Sequence, residues 1–99
     1  MAGLLGASKL FPFMAKGNIS GDLNDATNGI YGYHKGVSPS TNGPSGISIG
    51  IFVCFDAPET GNGGNPKLQI VATETTELTI AVYARTKWSD RWTDWKKMI

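Results

Sequence analysis

The chain has 99 residues, enough for one domain that buries about two-thirds of its unfolded surface. Hydrophobic residues make up 40% and charged residues 17%, as in a globular chain, while 13 glycines and five prolines argue against a compact helical bundle and point to strands and turns. Nine basic against eight acidic side chains leave a net charge of +1, so no global field draws in nucleic acid or an anionic membrane, and neither is expected as a partner.

The opening stretch, MAGLLGASKLFPFMAK, has no basic leader ahead of its apolar part and contains Pro12, so it reads poorly as a signal peptide; it is also too short to span a bilayer. Residues 1–19 form an apolar lead with neither helical nor alternating periodicity. Leu4, Leu5, Leu10, Phe11, Phe13 and Met14 are expected against another subunit or an upstream segment. Residues 20–99 read as the domain proper. In GDLNDATNGIYGYHK, Asp22 is placed to cap a short turn of helix and Asn28-Gly29 to end it, after which Ile30 to His34 is a strand.

HKGVSPSTNGPSG reads as a long exposed loop. ISIGIFVCFD alternates, with Ile47, Ile49, Ile51, Val53 and Phe55 on one face and Ser48, Gly50, Phe52, Cys54 and Asp56 on the other. APETGNGGNP is a second loop. KLQIVAT alternates again, with Leu68, Ile70 and Ala72 opposite Gln69, Val71 and Thr73. After a turn at Glu74 to Glu77, LTIAVYART is expected to point Leu78, Ile80, Val82 and Ala84 inward and Thr79, Ala81, Tyr83 and Arg85 outward. So short a connection predicts antiparallel pairing of these last two strands.

All three tryptophans fall in the final dozen residues, WSDRWTDWKKMI. On a helix, Trp88, Trp92 and Trp95 share one stripe. The shortness of the segment and its Ser-Asp-Arg run favour instead a hairpin loop over 87–91 and a closing strand over 93–98. The fold expected is all-β and mainly antiparallel, a small sandwich or open barrel of five or six strands with a short N-terminal helical or irregular segment.

Taken in order, these phrases resemble the pyocin-knob domains of tail fibres of bacteriophages and of phage-tail-like bacteriocins. The opening mark is DLNDATNGIYGY, with Asp22, Leu23, Asn24, Gly29 and Tyr31. The closing marks are Gln69 in LQI, Tyr83 and Arg85 in AVYART, and Trp92 and Trp95 in WTDWKKMI. The likeness spans residues 22–99; the two long glycine-rich loops and Trp88 depart from it. It implies a β knob on a homotrimeric fibre of the virion tail, synthesised in the bacterial cytoplasm, that serves fibre architecture or contact with the host surface.

Trp92 and Trp95 are expected to be structural, one inside and one against a neighbouring subunit, since two strand residues three apart face opposite ways. Trp88, read as a loop residue, is either a packed lid or a stacking platform. Its neighbours Asp90, Arg91 and Asp94 suit a carbohydrate, and the candidate contact surface is Tyr31, Tyr33, His34, Trp88 and Arg91 with the two loops. Arg85 is expected to pair with a carboxylate such as Asp94 or a chain end.

Little else in the chain suggests chemistry. The single cysteine, Cys54, has no companion for a disulfide or metal site and reads as a small apolar filler, and the chain is expected to fold in a reducing cytoplasm. Asp22-x-Asn24-x-Ala26 lacks the third oxygen and the glycine of a calcium loop, and no phosphate or dinucleotide fingerprint occurs. No cofactor is expected. The resulting reading is a non-enzymatic fibre knob that adsorbs to a bacterial surface glycan; the alternatives are a purely structural trimerisation module and a polysaccharide hydrolase.

Overall fold

The computed structural model describes residues 15–57, 66–75 and 77–99. The leading residues from Leu4 to Met14 and most of the second glycine-rich loop, with Glu59, lie outside the described residues. Along the chain the strands are β1 (Ala15–Asn18), β2 (Gly21–Asp22), β3 (Gly29–His34), β4 (Ser40–Thr41), β5 (Ile49–Asp56), β6 (Lys67–Glu74), β7 (Ile80–Trp88), β8 (Arg91–Trp92) and β9 (Lys96–Lys97). Among the described residues a 3-10 turn, Leu23–Asp25, interrupts them. No helix among the described residues is long and apolar enough to cross a membrane.

The alternating segments build the centre of one mainly antiparallel sheet. Its order is β1-β3-β5-β6-β7-β8, with β9 also on β7, and only β1 pairs parallel, on β3. The fold is all-β, as expected. Among the described residues the second layer is the small parallel β2–β4 ribbon with the loops and tail around it. The apolar lead ends earlier than its composition suggests, because Ala15–Asn18 already belongs to the sheet and Ile19 to the core.

One face of the sheet is covered. Phe52 and Cys54 of β5, Val71 of β6, Ala81 of β7 and Tyr31 and Tyr33 of β3 are buried there under Ile19, Leu23 and Ala26, with Ile47 and Trp95 packed at the margin. Each large apolar side chain so buried contributes about 1.5–3 kcal/mol. The cover fits closely: a Cβ on Gly43, in the loop after β4, would run into the Tyr33 hydroxyl. That loop is therefore not a free excursion, since Ser40 and Pro44 are buried and β4 ties it to β2.

The covered face is the opposite of the one the sequence favours. Ile49, Ile51 and Phe55 are exposed while Phe52 is fully buried, and in β7 Ile80 is exposed while Ala81 and Arg85 are buried. Leu78, expected inward, is also exposed. The reason is that apolar residues occupy both parities of β5, and only the segments arriving from elsewhere decide which parity becomes the interior.

The C-terminal dozen is strand rather than helix, but not one strand. β7 runs on to Trp88, a tight turn at Ser89-Asp90 replaces the expected five-residue loop, and the closing strand is split into β8 and β9. Ser89 adopts a positive φ of 60° to make the turn. Lys87 faces Trp92 and Ala84 faces Lys96, so three steps along β7 are matched by four along the tail. One extra residue is a β-bulge, and it reverses the side-chain alternation. Thr93 fills the break: its amide donates to the Thr86 carbonyl (2.8 Å) and its hydroxyl accepts from the Thr86 amide (3.0 Å).

Candidate functional site

Two places gather chemically distinctive side chains. The first surrounds Arg85, buried on the covered face of β7. Asp22, the N-cap of the 3-10 turn, accepts from the Asn24 amide (2.9 Å) and from Asn42 Nδ2 (2.8 Å). The cap thereby fixes Asn24, whose Oδ1 accepts from Arg85 Nη2 at 2.8 Å. Gln69, on the neighbouring strand and directly opposite Arg85, accepts from Arg85 Nε at 2.9 Å and donates from Nε2 to the Leu23 carbonyl at 2.6 Å. The turn, β6 and β7 are thus tied by one polar chain, whose Gln69 bonds are buried and so worth more than in water, while those of Asp22 lie at the surface.

The guanidinium also faces both closing indoles, with Cζ 3.8 Å from the ring centre of Trp92 and 4.9 Å from that of Trp95. The bulge makes this possible by returning two residues three apart to the same side, so the expected division between interior and neighbouring subunit does not occur. Trp95 Nε1 donates to the Asn42 carbonyl at 2.8 Å. Neutral oxygens and π faces surround Arg85 where a carboxylate such as Asp94 was expected: the planar fork matches amide oxygens, and the indoles stabilise its charge. Burial lowers the Arg85 pKa, and the charge of Asp22 pulls it back up.

Asp22 has its pKa lowered, first by the Asn42 side chain, then by the Asn24 amide and also by the charge of Arg85, against a smaller opposing effect of burial. A depressed folded-state pKa contributes stability that is whole above the ordinary carboxyl value and is lost as pH falls through the depressed one. Thermal unfolding followed from about pH 5 to pH 2 is therefore expected to show an acid limb that Asp22→Asn flattens. An unchanged limb would mean that the cap does not couple to folding.

The second place lies at the far end of β7 on the uncovered face. Trp88, half-exposed, sits directly across from Arg91 in the β7–β8 pair. Beside them a groove of about 550 Å³ has Phe55, Leu68 and Trp88 among its walls and Asn28, Asp56 and Lys67 at its rim. The rim is organised. Asn28 Oδ1 accepts from the Asp56 amide, Asn28 Nδ2 donates to the Asp56 carbonyl (3.3 Å), and Lys67 Nζ lies 3.8 Å from Asp56 Oδ2. An aromatic and aliphatic wall beside fixed hydrogen-bonding groups suits a ligand with apolar C–H faces and hydroxyls.

No family model, no curated protein and no solved structure matches the chain.

The five expected contact residues do not form one surface. Trp88 and Arg91 come together, as the last residue of β7 and the first of β8 rather than in a loop. Tyr31 and Tyr33 are in the core: the Tyr31 hydroxyl donates to the Thr27 carbonyl (2.9 Å), and Tyr33 is 1% exposed, with burial raising its pKa. His34 faces the open side at the opposite end of the sheet, across from Ile49. Phe55, Leu68, Asn28, Asp56 and Lys67 were not read as site residues. Extending the alternation of β7 by two residues places Trp88 on the same face as Ala84 and Thr86, and hence beside Leu68 and Phe55.

Of the remaining residues marking the family likeness, Gly29 opens β3 with φ 155°, where a Cβ would press on Lys16 and Tyr31. Tyr83 lies on the Arg85 side of β7, between Val71 and Lys97. Cys54 is a buried filler, its thiol pKa raised by burial.

Proposed function

We propose that this chain is a non-enzymatic knob of a phage or prophage tail fibre, working without a cofactor, that contributes to adsorption on a bacterial surface glycan. The observation that supports the fibre reading is the meeting of its scattered marks: Asp22, Leu23, Asn24, Gln69, Arg85, Trp92 and Trp95, drawn from both ends of the chain, join in one network around the Arg85 guanidinium. Residues that recur together in a family pattern are expected to share a structural task, and here they brace the turn, the sheet and the tail.

The glycan half of the reading draws on the groove at Trp88. A sugar ring laid on the indole leaves hydroxyls to Asn28, Asp56 and Arg91. Weak single sites suffice on a homotrimeric fibre, because later contacts become intramolecular and raise avidity. The virion tail is the location this reading assigns.

Binding of the full chain to immobilised lipopolysaccharides and capsular polysaccharides from a panel of bacteria tests it. At least one is expected to bind, and Trp88→Ala is expected to weaken that binding tenfold or more with an unchanged circular dichroism spectrum. Absence of binding across the panel would favour a purely structural module, a reading that the packing of Trp92 and Trp95 on Arg85 also supports.

A further inference from the structure

The uncovered face of the sheet carries an apolar surface that runs across four strands. Ile30, Val53, Ile70 and Ala84 stand abreast across β3, β5, β6 and β7. The next row is Gly32, Ile51, Ala72 and Val82. Register across these four strands runs without a bulge, so the rows make a regular lattice. Within these four strands neither row contains a charged residue; Lys96 of β9 extends the first row beyond Ala84, and the ionisable His34 and Glu74 stand at one end.

Exposure is large where burial is usual. Ile49, Ile51 and Ile80 are 57%, 52% and 66% exposed. With the half-buried aliphatics between them they form one continuous apolar patch across the sheet, a kind of surface that on a monomer marks an interaction site. A standard interface takes about 800 Å² from each partner.

We propose that this face is the interface through which copies of this chain pack on one another. Three features select a second copy as the occupant. The surface is aliphatic and without charge, like a domain core cut in half, which is the character of obligate homo-oligomer interfaces. Across β3, β5, β6 and β7 the rows hold no charge pattern by which a foreign partner would be steered or selected, the flanking Lys96 being a lone cation at the edge. A regular lattice of Ile, Val and Ala repeated on every copy gives apolar faces that cover one another, in pairs about a twofold axis or in threes turned toward a common threefold axis. The hydrogen-bonding side chains stand at the edges of these rows, Asn18 over Gly32 and Lys96 beside Ala84, and the groove at Trp88 lies at the margin of the interface. The inference depends on the fibre reading only for the number of copies, which that reading sets at three.

Sedimentation equilibrium of the full chain from about 1 to 200 µM, where mass action reveals association, provides the test. The expected mass is a multiple of 10.6 kDa. Ile51→Lys, at the centre of the face, is expected to raise the dissociation midpoint at least tenfold with strand content retained in circular dichroism. Ile80→Lys, at a more exposed position, repeats the measurement should Ile51→Lys not fold. Val37→Lys, an exposed position outside these strands, is expected to keep the wild-type mass. A wild-type chain that remains monomeric throughout overturns the proposal and makes residues 1–14 the candidate cover. A folded lysine variant of wild-type mass also overturns it. Self-association without polysaccharide binding would sink the adsorption reading alone.

Discussion

Replacing Arg85 with alanine is expected to cost the fold about 3–5 kcal/mol, a large share of the 5–15 kcal/mol that holds a domain of this size together. Two losses add. Gln69 Oε1 and Asn24 Oδ1 lose their donor, and Gln69 is fully buried, so no water replaces the bond. An unmet buried acceptor costs about 1–3 kcal/mol. The guanidinium plane also leaves two indoles, each such contact being worth about 0.5–2 kcal/mol. Arg85→Lys is expected to recover less than half of the loss, because an ammonium cannot form the fork that meets Gln69 and Asn24 at once. Urea unfolding measures both variants, and a lower midpoint at unchanged slope is the expected form. A loss below about 1 kcal/mol in the alanine variant would mean that the network is decorative.

Why Arg85 is so exacting a position was only half legible in the sequence. Its place in a strand, and the pairing of that strand with β6, follow from alternation and a short connection. Its partners do not: Asn24 lies 61 residues away and arrives only because Asp22 caps the turn that carries it. No local rule says that an arginine will choose amides over the nearby Asp94. The indoles were misassigned for a similar reason. Strict alternation separates Trp92 from Trp95, whereas one inserted residue in the tail reunites them, and neither composition nor periodicity marks that bulge.

The long strands β3, β5, β6 and β7 were readable because period-two alternation is a local property of six to nine residues, whereas β1, β2 and β4, of two to four residues, carry no such signal. Which face is interior is not local. In β5 Ile49, Ile51, Val53 and Phe55 outweigh Phe52 and Cys54, so hydrophobicity alone favours the face that the fold leaves open. The choice is decided by Leu23 and Ala26 from one side and Trp95 from the other, all brought over the same face by long-range topology. The groove at Trp88 is illegible for the same reason, since Phe55 and Leu68 lie on the face that alternation favours as interior, while Trp88 reads as a loop residue.

Two neighbours in β5 separate these faces experimentally. Phe52 is 0% exposed, and its ring lies 5.8 Å from that of Tyr31, so Phe52→Ala removes a full side chain from a site that collapses poorly. The expected cost is about 3–5 kcal/mol at any protein concentration. Ile51→Ala removes a side chain that is half in water within one chain, and its cost in a dilute, dissociated sample is expected to stay near 1 kcal/mol. At high concentration the two should behave differently again. If copies pack on the open face, wild-type stability rises with concentration and the Ile51 variant gains less of that rise, so its deficit widens while that of the Phe52 variant does not. Unfolding curves at two concentrations a hundredfold apart therefore read both faces at once. Equal deficits for the two variants in dilute solution would contradict the placement of the core, and concentration-independent deficits for both would contradict association through the open face.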